Sequence, residues 1–265
     1  MQISLAIITL NEEENVARCI QSAKWVDDIV VLDSGSTDRT REIAEELGAR
    51  VFNEEWRGFG PQKSRAVELC KHEVVLSLDA DEALSPELST YLQGLSSKIF
   101  GNYDGVRFPR LSFYLGRWIK HGGWTPDYQL RFLHRKQAQW TQSHVHEHIT
   151  AERVYTIKET LYHFPFKEIA AQVSTNNRYS GLGALDLQKA GKKFSMIKLF
   201  IKPVSKFIET YFLKLGILDG LAGFVISVSA AYSVFLKWGK LWEIERSEEW
   251  RKSRKTVVSE FQNDT

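Results

Sequence analysis

Four short runs of aliphatic and β-branched residues, separated by three stretches of helical spacing, fill the first eighty residues and leave few folds open. Ile3 to Leu10 is the first run, and Glu13 to Lys24 follows as a helix with Val16 and Ile20 on one face. Asp28 to Leu32 reads as a second buried strand. Thr37 or Asp38 stands where a helix running to Leu47 wants a cap, and Gly48 stands where its end wants a left-handed residue. Arg50 to Asn53 is a short third strand. Pro61 opens a helix through Cys70, Glu73 to Leu78 is the fourth strand, and Ser85-Pro86-Glu87 starts another helix with a serine cap and proline at its first position. A β-α-β-α-β-α-β alternation predicts an α/β fold, a parallel sheet with helices on both faces.

From Gly101 the regularity drops, with strand candidates at Asp104 to Phe108 and Gln129 to Leu133 among Trp, Tyr, His and Arg. After Gly191 it changes again. Ile197, Phe200, Ile201, Val204, Phe207 and Ile208 recur at helical spacing while Lys198, Lys202 and Lys206 fall four apart on another side, the pattern of a helix on a membrane surface, kinked at Pro203. Leu215 to Leu236 carries Asp219 as its only charge between Lys214 and Lys237. Such a stretch is long enough to span a bilayer, but Asp219 and three glycines favour a re-entrant or surface-embedded helical hairpin, with a soluble core pair or dimer seam as alternatives. The expected organisation is a catalytic domain over residues 1–190, divided near residue 100, and a helical amphipathic membrane-associating region over 191–265.

Of the 265 residues, 43% are hydrophobic and 26% charged, a globular composition. Cys19 and Cys70 are too few for a disulfide framework and match no zinc spacing. Met1 to Leu10 lacks a basic lead, so the reading is of no signal peptide and a cytoplasmic catalytic part. Residues 1–100 hold 10 Lys/Arg against 18 Asp/Glu, whereas residues 192–255 hold 13 against 6. An acidic front suits a metal, and a cationic, apolar rear suits an anionic surface in preference to nucleic acid. An oligomer remains open.

In an open parallel sheet ligands bind beyond the carboxyl ends of the strands. Those ends are polar here: Thr9, Asn11 and Glu12 after the first strand, Asp33 to Asp38 after the second, Asp79-Ala-Asp81-Glu82 after the fourth. Asp79 and Asp81, two apart at a strand end, aim the same way and suit a hard cation, Mg2+ or Mn2+, whose other oxygens come from a phosphate. Neither dinucleotide nor P-loop glycine signatures occur. A diphosphate held by metal and cations remains, with Lys63 and Arg65 at the start of the third helix to assist.

Thr9-Leu-Asn11-Glu12, Asp33-Ser34-Gly35-Ser-Thr-Asp38, Gly60-Pro-Gln-Lys63-Ser-Arg65 and Leu78-Asp79-Ala-Asp81-Glu82 together resemble family 2 glycosyltransferases of the GT-A, Rossmann-like fold. Gly123-Trp-Thr-Pro-Asp127, Arg131 to Arg135, Val145-His146-Glu147 and Leu215 to Gly220 resemble the subgroup of lipopolysaccharide core β-1,4-glucosyltransferases, which act on an inner-core heptose. The resemblance implies a metal-dependent inverting hexosyltransferase with a UDP-sugar donor and a lipid-linked saccharide acceptor, peripheral or monotopic on the cytoplasmic face of the inner membrane. It places Thr9, Asn11, Glu12, Asp33, Ser34 and Gly35 around the nucleoside, Asp79 near the ribose and with Asp81 at the metal, and Lys63, Arg65 and Arg131 near the diphosphate. The family's Glu-Asp pair for the base is missing, so Glu147 is the first choice and Asp127 the reserve.

His144, His146 and His148 alternate, which would share a strand face, but a structural or substrate role is preferred to zinc. Trp118, Trp124 and Trp140 either stack on sugar or pack. Other acceptors in the class are a polyprenyl phosphate, a capsule precursor or a protein; a nucleotidyltransferase and a non-catalytic membrane protein are the rivals outside it.

Overall fold

The computed structural model describes residues 1–141 and 148–263, with side chains as far as Arg254. Two compact units are present, one of residues Met1–Trp118 and Trp124–Pro165, the other of Ile119–Gly123 and Phe166–Thr265.

In the first unit the expected alternation appears as β1 (Ile3–Thr9), α1 (Val16–Ser22), β2 (Asp28–Asp33), α2 (Thr40–Glu46), β3 (Arg50–Asn53), α3 (Phe59–Glu68) and β4 (Val74–Asp79). There follow β5 (Glu82–Leu84), α4 (Pro86–Gly94), α5 (Ile99–Asn102), β6 (Gly105–Tyr114), β7 (Arg117–Ile119), β8 (Asp127–His134), β9 (Gln139–Trp140), β10 (Ile149–Thr150), β11 (Val154–Thr156) and β12 (Leu161–His163). The main sheet runs β3-β2-β1-β4-β8-β6-β12-β5, with the first four strands parallel and β8 antiparallel between β4 and β6. This is the GT-A arrangement, a mostly parallel sheet between helices. All seven residues of β1 are buried, which places that run at the centre. Its register pairs Thr9 with Asp33 and Ile8 with Asp79, so three polar strand ends meet at one edge.

One face of the sheet packs Leu5, Ile7 and Leu76 against Val16 and Ile20 of α1 and Leu88 of α4; the other packs Ala6, Val30 and Leu32 against Ala66 and Val67 of α3. Three helix starts depart from expectation, each for a local reason. α1 begins three residues late, because the Glu12 carbonyl accepts from Asn15 and Val16 in a turn. Asp38 accepts from Thr40 N at 3.0 Å, so it caps α2 from one residue further out. α3 starts at Phe59, two residues before Pro61, after Gly58 at φ +99°. Ser85 caps α4 as read, accepting from Leu88 N at 3.1 Å.

The second unit holds α6 (Ile169–Lys189), α7 (Met196–Ile208) and α8 (Gly220–Asn263). A π-turn at Glu209–Leu213 and a 3-10 turn at Gly216–Asp219 join α7 to α8. α7 continues through Pro203. A hairpin inside residues 215–236 is not formed: the chain reverses before Gly220 and then runs as one long helix. The glycines serve close approach instead. A Cβ on Gly223 would lie 1.8 Å from the Gly216 carbonyl oxygen, so the turn folds back on the first coil of α8 only with glycine there. Asp219 is buried in this turn, accepting from His121 N at 2.8 Å and Lys120 N at 3.2 Å. The helix through Gly216–Arg254 is long and apolar enough to cross a membrane.

Candidate active site

Beyond the ends of β1, β2 and β4 the described side chains form a relay of alternating charge. Lys63, in the second turn of α3, lies 3.0 Å from Asp79 Oδ1, and Arg131 of β8 donates to Asp79 Oδ2 at 2.7 Å. The same Arg131 nitrogen donates to Glu82 Oε1 at 2.8 Å. Arg110 of β6 donates to that oxygen at 3.0 Å and to Asp127 Oδ2 at 2.8 Å. Arg131 is only 2% exposed and Glu82 1%, a burial tolerated because each charge sits between two of opposite sign. Burial works against ionising Asp79, but the charges of Arg131 and Lys63 override it and hold its carboxyl well below the usual carboxylate range. Burial likewise works against a charged Arg131, and Asp79 and Glu82 override that in turn. The Trp140 ring flanks both cations, 4.7 Å from Lys63 and 5.4 Å from Arg131, and its indole N–H donates to Ser77.

The nucleoside-side candidates share the same edge. Asp33 is fully buried, and its carboxylate accepts from Gly35 N, Ser36 N and the Ser36 hydroxyl, which fixes the loop after β2. Asn11, at φ +57°, accepts from Thr37 N and donates its own N–H to Ser36; Glu12 N donates to Thr40. Ser34 accepts from Gln62 Nε2 at 3.2 Å. Two buried acceptors at this edge, Thr9 Oγ1 and Gln62 Oε1, have no hydrogen-bond partner among the described residues.

Arg65 is turned elsewhere: it pairs with Glu54 at 3.0 Å and Glu68 at 3.3 Å. Arg135 donates to the Val67 and Cys70 carbonyls at the end of α3. Asp127 has one oxygen engaged by Arg110 and the other accepting from Gln129 at 2.7 Å. Trp118 and Trp124 pack on Tyr162 and Tyr114, with centroids 4.5 and 5.9 Å apart. Both cysteines are buried, and burial pushes the Cys70 thiol up to about 12. His144, His146 and Glu147 lie outside the described residues.

Asp81 sits on the turn into β5, its Oδ2 3.4 Å from Nε2 of His163, whose Nδ1 is 2.9 Å from the Ser112 hydroxyl. No group of three acidic, His or Cys side chains converges among the described residues. Asp81 and His163 pair with each other; the Asp81 carboxylate is the oxygen donor a hard cation takes, and His163 stands beside it as a nitrogen donor. Asp79 has both oxygens facing cations. Glu82 stood in the quoted motif without a role; Arg110 and His163 had no motif, and arrive through the pairing of β6 and β12 with the rest of the sheet.

The profile of Glycosyl transferase family 2 matches residues 4–158. An uncharacterized glycosyltransferase of Rickettsia bellii is 34% identical over 261 residues, covering 92% of this chain and 87% of the relative. The lipopolysaccharide core biosynthesis glycosyltransferase LpsC of Rhizobium meliloti is 31% identical over 256 residues, covering 92% and 93%. A dolichyl-phosphate hexose transferase of Haloferax volcanii is 34% identical over a shorter 113 residues, 41% of this chain and 48% of the relative.

Proposed function

The chain belongs to glycosyl transferase family 2, and from that premise we propose that it transfers glucose from UDP-glucose, with inversion, to the inner-core heptose of lipopolysaccharide at the cytoplasmic face of the inner membrane. Membership sets aside the nucleotidyltransferase rival. The observation that carries the reading is the shared edge, where Thr9 and Gln62 offer buried acceptors with no hydrogen-bond partner among the described residues beside Asp79, Lys63, Arg131 and the Asp81–His163 pair. The similarity to LpsC over almost all of both chains supports the acceptor class.

Asp81 and His163 would hold Mg2+ or Mn2+, which when bound takes up charge on the departing diphosphate. The chain's own residues do the rest. Thr9, Asn11 and Ser34 line the nucleoside, Asp79 faces the ribose from its seat between two cations, and Lys63 and Arg131 keep that seat fixed and electropositive. A carboxylate must take the proton of the incoming hydroxyl in a single displacement. Glu147 fits this better than Asp127, whose oxygens are already held by Arg110 and Gln129. Glu147→Gln should therefore keep donor binding and lose turnover by roughly 10²–10⁴-fold, with a smaller loss in Asp127→Asn, measured as UDP released in the presence of heptosylated lipid A. An active Glu147→Gln beside a dead Asp127→Asn would move the base to Asp127. A polyprenyl phosphate is the second acceptor reading, favoured by the dolichyl-phosphate hexose transferase relative, and turnover on that acceptor with none on heptosylated lipid A would select it.

A further inference from the structure

We propose that the turn joining α7 to α8 is a wedge that enters the hydrocarbon of an anionic bilayer, with α7 lying in the headgroup layer and neither helix crossing. The proposal deepens the membrane location given above and is independent of the sugar chemistry.

The outward surface of this region is apolar where a water-facing helix is polar. Ile197, Phe200, Ile201, Val204 and Ile208 of α7 fall on one stripe and all are exposed. That stripe is not the side by which α7 packs: Leu199 joins the cluster around Trp238 and Leu241, and Phe207 meets Tyr211 and Phe224. At the turn itself Leu213 is 75% exposed and Leu221 78%, with Leu215 and Leu218 also exposed between them.

The polar groups of the turn find partners within the chain, Thr210 and Asp219 in its buried interior and Glu209 in an ion-pair cluster at its surface. The Thr210 hydroxyl donates to the Lys206 carbonyl at 2.9 Å, and Glu209 is flanked by Lys206 and Lys214. Asp219, 2% exposed, is sealed by two backbone N–H groups and by His121 Nδ1 at 3.1 Å. Lys198, Lys202 and Lys206 lie beside the apolar stripe, where Lys202 meets anionic headgroups when α7 lies flat, with Lys198 over the Trp238 ring and Lys206 paired to Glu209 at the same level. The same lysines decide against the alternatives. α7 packs along α8, so a crossing α8 would drag them into the bilayer core, and a second copy placed face to face would set one lysine row against another.

The native cysteines are buried, so a Leu218→Cys variant of the full chain can be labelled selectively with an environment-sensitive fluorophore. On vesicles of phosphatidylethanolamine with phosphatidylglycerol, the label should shift to the blue and be quenched by lipids with mid-chain nitroxides. A label at Lys202→Cys should be quenched by headgroup nitroxides instead. Leu213→Glu with Leu218→Glu should weaken vesicle binding by about tenfold or more. Water-like emission at position 218 under saturating lipid, burial of that label by protein concentration in place of lipid, or its reaction with an impermeant reagent trapped inside the vesicles would each overturn the wedge. UDP-glucose binding measured on the same labelled protein keeps the two proposals apart, because a failed wedge with intact donor binding leaves the catalytic reading standing.

Discussion

Asp79 concentrates the electrostatics of the site in one carboxylate. Its proton affinity is held down in the folded protein by Arg131 and Lys63 against the opposing effect of burial. A carboxylate depressed in this way contributes stability above its unfolded pKa, about 3.9, and loses it as pH falls through the lower folded value. The relay should thus stay assembled across pH 5–8 and weaken only in acid. Asp79→Asn would take one carboxylate from two buried cations, Lys63 and Arg131, leaving Arg131 with Glu82, at a cost of roughly 3 kcal/mol. The expected result is a lower urea midpoint at unchanged slope; an unchanged midpoint would show that the relay contributes little. Lys63 and Asp79 were legible as motif residues. The separation of Lys63 from Arg65 was legible too, in hindsight of simple geometry, since residues two apart on a helix point to different sides. Arg110 and His163 were not, because only strand pairing brings Arg110 to Glu82, 28 residues away, and His163 to Asp81, still further along the chain.

At the scale of elements, the strands were the most readable features, since a central parallel strand is buried on both faces and shows as an unbroken apolar run, as β1 does. Helix starts were legible where a side chain caps the expected residue and shifted where a backbone turn, as before α1, or a glycine, as before α3, sets the first coil. Ser85 is the local case, and Ser85→Ala should cost about 1 kcal/mol through loss of its bond to Leu88 N, again read from a denaturant midpoint. Gly223 is the opposite case. In the sequence it argued only against a membrane span, whereas in the fold it permits the approach of the Gly216 carbonyl. Gly223→Ala should disrupt the turn before α8, which hydrogen exchange would show as faster exchange at the His121 N–H, normally bonded to Asp219. Protection equal to the parent's would mean that the turn relaxes at little cost.

Over the whole molecule the charge distribution and the two compact units follow one division of labour. The acidic first hundred residues supply the strand ends of the edge proposed for the donor, joined there by Arg110, Arg131 and His163, and the basic, apolar rear supplies the helices proposed for the membrane. The first was carried by compact motifs and the second by composition alone, which is why the sequence could assign residues at the front and only a tendency at the rear. Vesicle binding through the lysines should weaken as salt rises, whereas the apolar turn should retain part of the binding at high ionic strength; sedimentation with vesicles over a salt series would show a plateau above zero, and complete release would remove the apolar contribution. The central claim is the donor site, and calorimetric titration of UDP-glucose into the intact protein, with and without Mn2+, addresses it directly. The parent protein should bind UDP-glucose in a metal-dependent manner and Asp81→Ala should lose that dependence together with most of the affinity. Equal binding by both proteins, or no binding by the parent with metal present, would contradict it.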